Sequence, residues 1–233
     1  MTIVSLALKI FFREFKSGQL LLMFLSLSLA VGIVASITFF TDRLDSSLVA
    51  ESKQFLGGDL KYESSSSLDE TAFPEGEYVY SKVHEFATVL ATNNKFQLAS
   101  IKSAATPYPL IGEIEILEKN NSKKVYKSPP NPNEIWLDER LARLLEVSLG
   151  EKVGVGEKDF IFNGIIIAES DRGAGSFAFA PKGIINSLDL EKTNVIKPGS
   201  RVRYSYLFKA SSKDLVNLEN YFQEIKKPGD EIM

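Results

Sequence analysis

The longest pattern along the chain is an uncharged block. No charged residue occurs from position 17 to 41, and Leu20 to Phe40 reads LLLMFLSLSLAVGIVASITFF. At ~1.5 Å rise per residue, ~20 apolar residues cross the ~30 Å hydrocarbon core of a bilayer. The block therefore predicts a transmembrane helix over 20–40. Ahead of it, Ile3, Leu6, Leu8, Ile10, Phe11, Phe12 and Phe15 interleave with Lys9, Arg13 and Lys16. The basic residues recur at i, i+4 and i+7 and share one helical face, so residues 1–19 predict a basic amphipathic helix lying in the membrane interface. It is either a topology anchor or an elbow helix of a transporter subunit. Beyond the span, Leu44, Leu48 and Phe55 keep helical spacing until Gly57-Gly58, predicting a stalk over 41–58 that stops at a glycine.

From residue 59 onward the pattern turns to mixed α and β. Asp59–Glu63 reads as a short strand, residues 78–102 as a hairpin turning at Asn93-Asn94, and Ile114, Ile116 and Val125 as strands around Lys119-Asn120-Asn121. Ser64–Ser67, Thr106–Pro109 and Ser128–Asn133 read as loops. Ile135–Leu137 predicts a strand, and Asp138 the cap of a helix carrying Leu141, Leu144 and Leu145. Two further β-like segments, 151–155 and 159–168, flank a turn at Gly156-Glu157-Lys158. In the second, Ile165-Ile166-Ile167 predicts burial on both faces. Arg201–Phe208 predicts a strand with basic and apolar side chains on opposite faces. Ser211 predicts the cap of an amphipathic helix bearing Leu215, Leu218, Phe222 and Ile225. No strand is predicted after that helix, so the chain reads as cut short, a fragment or a truncated reading frame.

Charge sets the orientation. Lys9, Arg13 and Lys16 precede the span against Glu14 alone, which by the positive-inside rule keeps the N-terminus cytoplasmic and puts the rest in the periplasm. A cleaved signal peptide is the rival reading, with Ala30-Val31-Gly32 as the cleavage site. The apolar run continues to Phe40, longer than a signal core of ~7–15 residues, and favours an uncleaved anchor. The formal charge of −3 lacks the basic excess of a nucleic-acid binder. The absence of cysteine removes disulfides, thiol catalysis and Cys-based metal sites.

Candidate chemistry is sparse. His84, the single histidine, stands alone in a predicted strand, whereas metal and acid–base sites need partners. Neither G-x-S-x-G nor G-x-x-x-x-G-K-[ST] occurs. The run Asp171-Arg172-Gly173-Ala174-Gly175-Ser176 is Gly-rich, but it leads into Phe177–Pro181, which reads as a strand and not as the helix a phosphate cradle needs. It is read as a surface loop, with a partner-contact loop as the alternative. Asp138, Glu139 and Arg140 are explained by helix capping. No catalytic, cofactor-binding or metal-binding residue is assigned, no cofactor is expected, and the chain is not expected to be an enzyme.

An ordered set of motifs resembles one family. FFREFKSGQLLLMFLSLSLAVGIVASI, Gln54–Leu60 (QFLGGDL), Tyr108–Gly112 (YPLIG), Trp136–Ala142 (WLDERLA), Leu149–Val153 (LGEKV), Arg172–Phe177 (RGAGSF) and Arg201–Tyr204 (RVRY) together resemble FtsX/LolE/MacB-type ABC transporter permeases, closest to the YbbP-like branch. The resemblance implies an α+β class: one N-terminal transmembrane helix, then a two-lobed MacB-like periplasmic core domain over 59–233. The membrane-proximal lobe would comprise about 44–111 and 191–233, and an inserted outer lobe about 112–190. It implies a permease subunit in the bacterial inner membrane, paired with a cytoplasmic ABC ATPase whose hydrolysis moves the periplasmic domain. The expected cargo is a lipid, lipoprotein or other amphiphile. Members of the family carry further spans, which this chain lacks. The alternatives are a single-span anchored periplasmic domain regulating another envelope protein, and a secreted enzyme with a mature N-terminus at Ile33.

Overall fold

A computed structural model describes residues 3–16, 18–93, 95–171 and 180–233. The chain divides into two compact units, Met1–Ala50 and Glu51–Met233.

The first unit is helical. Helix α1 spans Ile3–Lys16, and α2 runs unbroken from Gln19 to Leu56. Every residue from Leu21 to Phe40 is exposed, and the helix is long and apolar enough to cross a membrane. Three hydroxyls along the apolar stretch bond within the helix: Ser26 donates to the Met23 carbonyl, Ser36 to Gly32 and Thr38 to Val34. That internal bonding is what a polar side chain in hydrocarbon requires. At ~1.5 Å per residue α2 is ~57 Å long, well beyond the ~30 Å a bilayer core takes up.

Among the described residues, the second unit is built on one mixed sheet of eleven strands. In chain order these are β1 (Leu60–Ser64), β2 (Tyr78–Ala91), β3 (Phe96–Ala104), β4 (Ile114–Leu117), β5 (Lys123–Tyr126), β6 (Glu134–Asp138), β7 (Lys152–Val155), β8 (Lys158–Glu169), β9 (Lys182–Asn186), β10 (Val202–Ala210) and β11 (Glu231–Ile232). The strand order is β11-β1-β10-β2-β3-β9-β6-β8-β4-β5. Strand β7 pairs with both β2 and β8, so β2, β3, β9, β6, β8 and β7 close a ring of hydrogen-bonded strands.

Three apolar cores follow. Inside the ring, Phe86, Leu90, Ile101, Ile135, Phe160 and Phe162 pack with Leu141 and Leu145 of α3 (Glu139–Leu145). Asp138 caps α3 by accepting from the Leu141 amide at 2.6 Å. On the other face, Val83, Tyr108, Ile114, Ile116, Trp136, Ile184 and Leu207 form a second core. The third lies under α5 (Ser212–Ile225), where Phe222 stacks on Tyr62 at 4.5 Å beside Phe73, Tyr206 and Phe208.

The expected hairpins, loops and capped helices are present, with three corrections. Strand β8 alternates: Ile166 is buried, Ile165 half-buried and Ile167 exposed, because one of its faces meets solvent there. Strand β10 does not separate basic from apolar faces, since Ser205 to Phe208 are all buried between neighbouring strands and α5. After α5 a short strand, β11, does follow and pairs with β1. Strand β9 and α4 (Leu190–Thr193) were not expected from the sequence pattern.

Candidate functional site

The chain leaving α2 is tied into the second unit. Gly57, at φ +71°, turns the chain out of the helix, a conformation glycine adopts at no steric cost. Its carbonyl accepts from the amides of Leu110 and Ile111, both at 3.0 Å. A side chain at Gly57 would begin 3.1 Å from Asp171 Cβ. Lys53 pairs with Asp59 at 2.7 Å, and the Asp59 amide donates to the Phe208 carbonyl at 2.7 Å. Lys61 and Met233 exchange both backbone hydrogen bonds, so β1 has a partner on each side immediately after the turn.

Beneath this turn lies a buried cluster of charge. Lys102 points to the same face as Ala104, toward the second core, by the two-residue period of a strand. Its ammonium donates to Glu169 Oε1 at 2.6 Å, Asp171 Oδ2 at 3.1 Å, the Asp171 carbonyl at 2.6 Å and the Tyr108 hydroxyl at 3.0 Å. Lys61 meets the other Asp171 oxygen, Oδ1, at 2.9 Å and Glu63 at 2.9 Å. Lys182 donates to Glu169 Oε2 at 2.5 Å. Tyr108, wholly buried, places its hydroxyl 2.8 Å from Glu169 and 3.1 Å from Asp171.

The charges hold one another ionised. Burial alone would neutralise Lys102, but Asp171 and then Glu169 outweigh it and keep its ammonium above the usual lysine range. Burial likewise opposes the Asp171 carboxylate, and Lys102 and Lys61 overcome it, holding Asp171 far below the usual aspartate value. Glu169 is lowered against burial by Lys102 and Lys182. Burial, then Asp171 and Glu169, push the Tyr108 hydroxyl well up, so it remains a neutral donor. Among the described residues, each charge of the cluster has an oppositely charged partner. Its chemistry is positional.

The cluster also closes a loop in the chain. Ser170 donates its hydroxyl to the Glu113 carbonyl at 3.0 Å and accepts from the Glu113 amide at 2.8 Å. Residues 108–113 and 169–171, far apart in sequence, therefore meet at the end of α2. Beside them lies a cleft of about 450 Å³ lined by Glu51, Gln54, Phe55, Glu113, Glu115 and Glu169. Among the described residues no group of three or more His, Cys, Asp or Glu side chains could hold a metal ion.

The residues singled out from the sequence lie elsewhere. His84 sits on β2 against Tyr204, their rings 5.1 Å apart, with burial and then Lys82 lowering its pKa to about 4. Asp138 caps α3 and also accepts from the Lys182 amide at 2.9 Å. Of the Gly-rich run, residues 172–176 lie outside the described residues, while Asp171, its first member, is the centre of the buried cluster. Lys61, Lys102, Tyr108 and Glu169 were missed. The available signal was a lysine inside each of two strand segments, Leu60–Ser64 and Phe96–Ala104, but nothing local names its partner.

With this geometry in view, the chain is an apolar N-terminal helix followed by a mixed α/β domain, and its sequence is similar to that of an ABC transporter permease. It is 30% identical over 221 residues to a curated Escherichia coli K12 protein named "Uncharacterized ABC transporter permease YbbP". That match covers 94% of this chain and 27% of the relative, so the chain spans about a quarter of that protein's length. No family model matches. Among solved structures, the periplasmic region of MacB from Actinobacillus actinomycetemcomitans aligns at TM-score 0.47 and 13% identity, over 79% of this chain and 92% of that one. The extracellular domain of the ABC-type transporter YknZ from Gram-positive bacteria aligns at 0.39 and 9%, over 65% and 80%. The sequence relative is named a permease, and α2 is by length and composition apolar enough to cross a membrane.

Proposed function

We propose that this chain forms the N-terminal part of an ABC-type permease subunit in the bacterial inner membrane. Its N-terminus and α1 face the cytoplasm, and residues 59–233 form a periplasmic core domain. A separate cytoplasmic ATPase hydrolyses ATP, and α2 carries the resulting motion to the periplasmic side. The domain comprises a membrane-proximal lobe of about 44–111 and 191–233 and an outer lobe of about 112–190. The cargo is a lipid, lipoprotein or other amphiphile.

One observation carries this reading: α2 is a single helix of 38 residues, and the chain just past its end is held by hydrogen bonds from Leu110 and Ile111 to Gly57 and from Asp59 to Phe208 of β10. A simple anchor needs only the ~20 residues that cross the bilayer. A helix that continues and is then tied down at Gly57 suits transmission of movement. Lys9 and Arg13, both exposed on α1, favour an N-terminus held on the cytoplasmic side.

The test is co-purification of the membrane-embedded chain with a co-expressed cytoplasmic ABC ATPase of the same organism, for the parent and for Lys9→Glu/Arg13→Glu. Recovery of the ATPase with the parent and its loss with the variant is expected. If no ATPase is recovered with the parent, and a periplasmic protein is recovered instead, the anchored interaction domain replaces the permease reading.

A further inference from the structure

The buried cluster occupies one place in the chain path, the neck at which the chain enters and leaves the 112–170 segment, which is also paired to the rest of the sheet through β6–β9 and β7–β2. Tyr108, Gly112 and Glu113 lie on the outgoing side, and Glu169, Ser170 and Asp171 on the returning side. Ser170 and Glu113 staple the two sides together through three hydrogen bonds, of 2.8, 3.0 and 3.3 Å. Gly112, at φ +90°, passes so close that a side chain there would start 2.1 Å from Ser170 Oγ. The end of α2 grips both sides at once. The Gly57 carbonyl holds Leu110 and Ile111 on the outgoing side, while Lys61, just past the turn, holds Asp171 on the returning side. Lys102 of β3 and Lys182 of β9 brace the returning side from the sheet.

We propose that Lys61, Lys102, Glu169 and Asp171 form a rigid ionic joint that ties the end of α2 to the neck of the 112–170 segment, with Asp171 as the residue that positions it. A hinge would leave the neck's amides open to water and its side chains free to exchange partners. Here Asp171 has both carboxylate oxygens and its carbonyl engaged by two different lysines, all inside the protein. Breaking any of these contacts exposes an uncompensated charge to a low-dielectric surrounding, which makes partial opening costly. Movement arriving along α2 is then delivered to the neck without slack. The second statement rests on the permease reading above. The joint itself does not.

Hydrogen exchange on the full chain in lipid nanodiscs tests it, with no ATPase present. The amides of Leu110, Ile111 and Glu113 should exchange about as slowly as those of Ile135 and Leu137 in the centre of the sheet, whereas a hinge would exchange like an exposed loop. In Asp171→Asn, exchange at Leu110, Ile111 and Glu113 should rise about tenfold or more, while Ile135 and Leu137 keep the parent rate. Should that variant fail to fold, Lys61→Met, which leaves Asp171 paired with Lys102, should give the same local rise. Fast exchange at the neck of the parent overturns the joint. So does a variant in which the whole sheet loosens equally, or one in which the neck does not change. Failure to recover an ATPase would defeat the permease reading and leave this result standing.

Discussion

Lys102 Nζ holds Asp171 at two points, the carboxylate at 3.1 Å and the backbone carbonyl at 2.6 Å. One side chain thus fixes both the position and the direction of the chain at Asp171, two residues past β8. Replacing Lys102 by Met removes the cation and leaves Glu169 and Asp171 buried with too little positive charge. Removing one partner of a buried pair costs ~3–5 kcal/mol, because the remaining charge is uncompensated. Pairing Lys102→Met with Glu169→Gln restores the balance between Lys61, Lys182, Asp171 and Glu63. The double variant should therefore recover ~2 kcal/mol relative to the sum of the single changes. Urea titration followed by tryptophan fluorescence measures this. The single tryptophan, Trp136, is buried in the same core, its ring 4.9 Å from that of Tyr126.

Acid should weaken the fold in two stages. Burial, then Lys82, lowers the His84 pKa to about 4 against the weaker opposing pull of Glu70. An unfolded histidine titrates near ~6.5. Between those values the unfolded chain binds a proton that the folded chain refuses, so stability falls as pH drops through that window and is flat above it. The loss should be roughly 1–2 kcal/mol, less than the full shift implies because the ring is partly solvated. Asp171 and Glu169 have depressed values, so their contribution is present above the ordinary carboxylate range and disappears only at lower pH. In His84→Gln the slope between pH 4 and 6.5 should vanish while the steeper loss below it persists, as read by midpoints of thermal unfolding at a series of pH values.

These two sites show where sequence reading succeeds and stops. The period-2 and period-3.6 patterns are local, and they locate α2, the β2–β3 hairpin and the capped helices α3 and α5 from residues within a few positions of one another. Asp138 and Ser211 announce their caps because the partner amide is only three residues away. The cluster has no such signature. Lys102 alternates along β3 as a solvent-facing lysine would, and its partners Glu169 and Asp171 are 67 and 69 residues distant. Which face of β3 is covered is settled by loop 106–111 crossing it and by the end of β8 arriving beside it. Ile165–Ile167 failed for the same reason, since an apolar run does not say how many faces a sheet will cover.

The apolar stretch of α2 makes a prediction of its own. Val31 lies at the middle of the uncharged block and is exposed. An arginine at the centre of a membrane helix costs about 2.5–3.5 kcal/mol for insertion. Val31→Arg should therefore lower the fraction of chain retained in membranes after alkaline carbonate washing. Ser46→Arg, beyond the bilayer on the same helix, should not. Equal loss from both variants would argue that α2 does not span where its composition places it.

Gly112 gives the most local prediction. Its φ of +90° is strained for any L side chain, and a Cβ there would lie 2.1 Å from Ser170 Oγ and 2.5 Å from Ser170 Cβ. Both distances are far inside van der Waals contact, and Ser170 cannot retreat without giving up Glu113. Gly112→Ala should cost about 2–4 kcal/mol, combining overpacking of ~1–3 kcal/mol with ~1 kcal/mol for the left-handed backbone. The two parts separate in Gly112→Ala/Ser170→Gly. Removing the serine side chain clears the clash and leaves the backbone strain, but it also forfeits the Ser170 hydroxyl bonds to Glu113. The double variant should regain stability over Gly112→Ala while staying below the parent, with Ser170→Gly alone marking the loss of those bonds. Trp136 fluorescence in urea follows all four proteins. If Ser170→Gly rescues nothing, the destabilisation arises from the backbone alone, and the close approach of the two sides of the neck is not what selects glycine at this position.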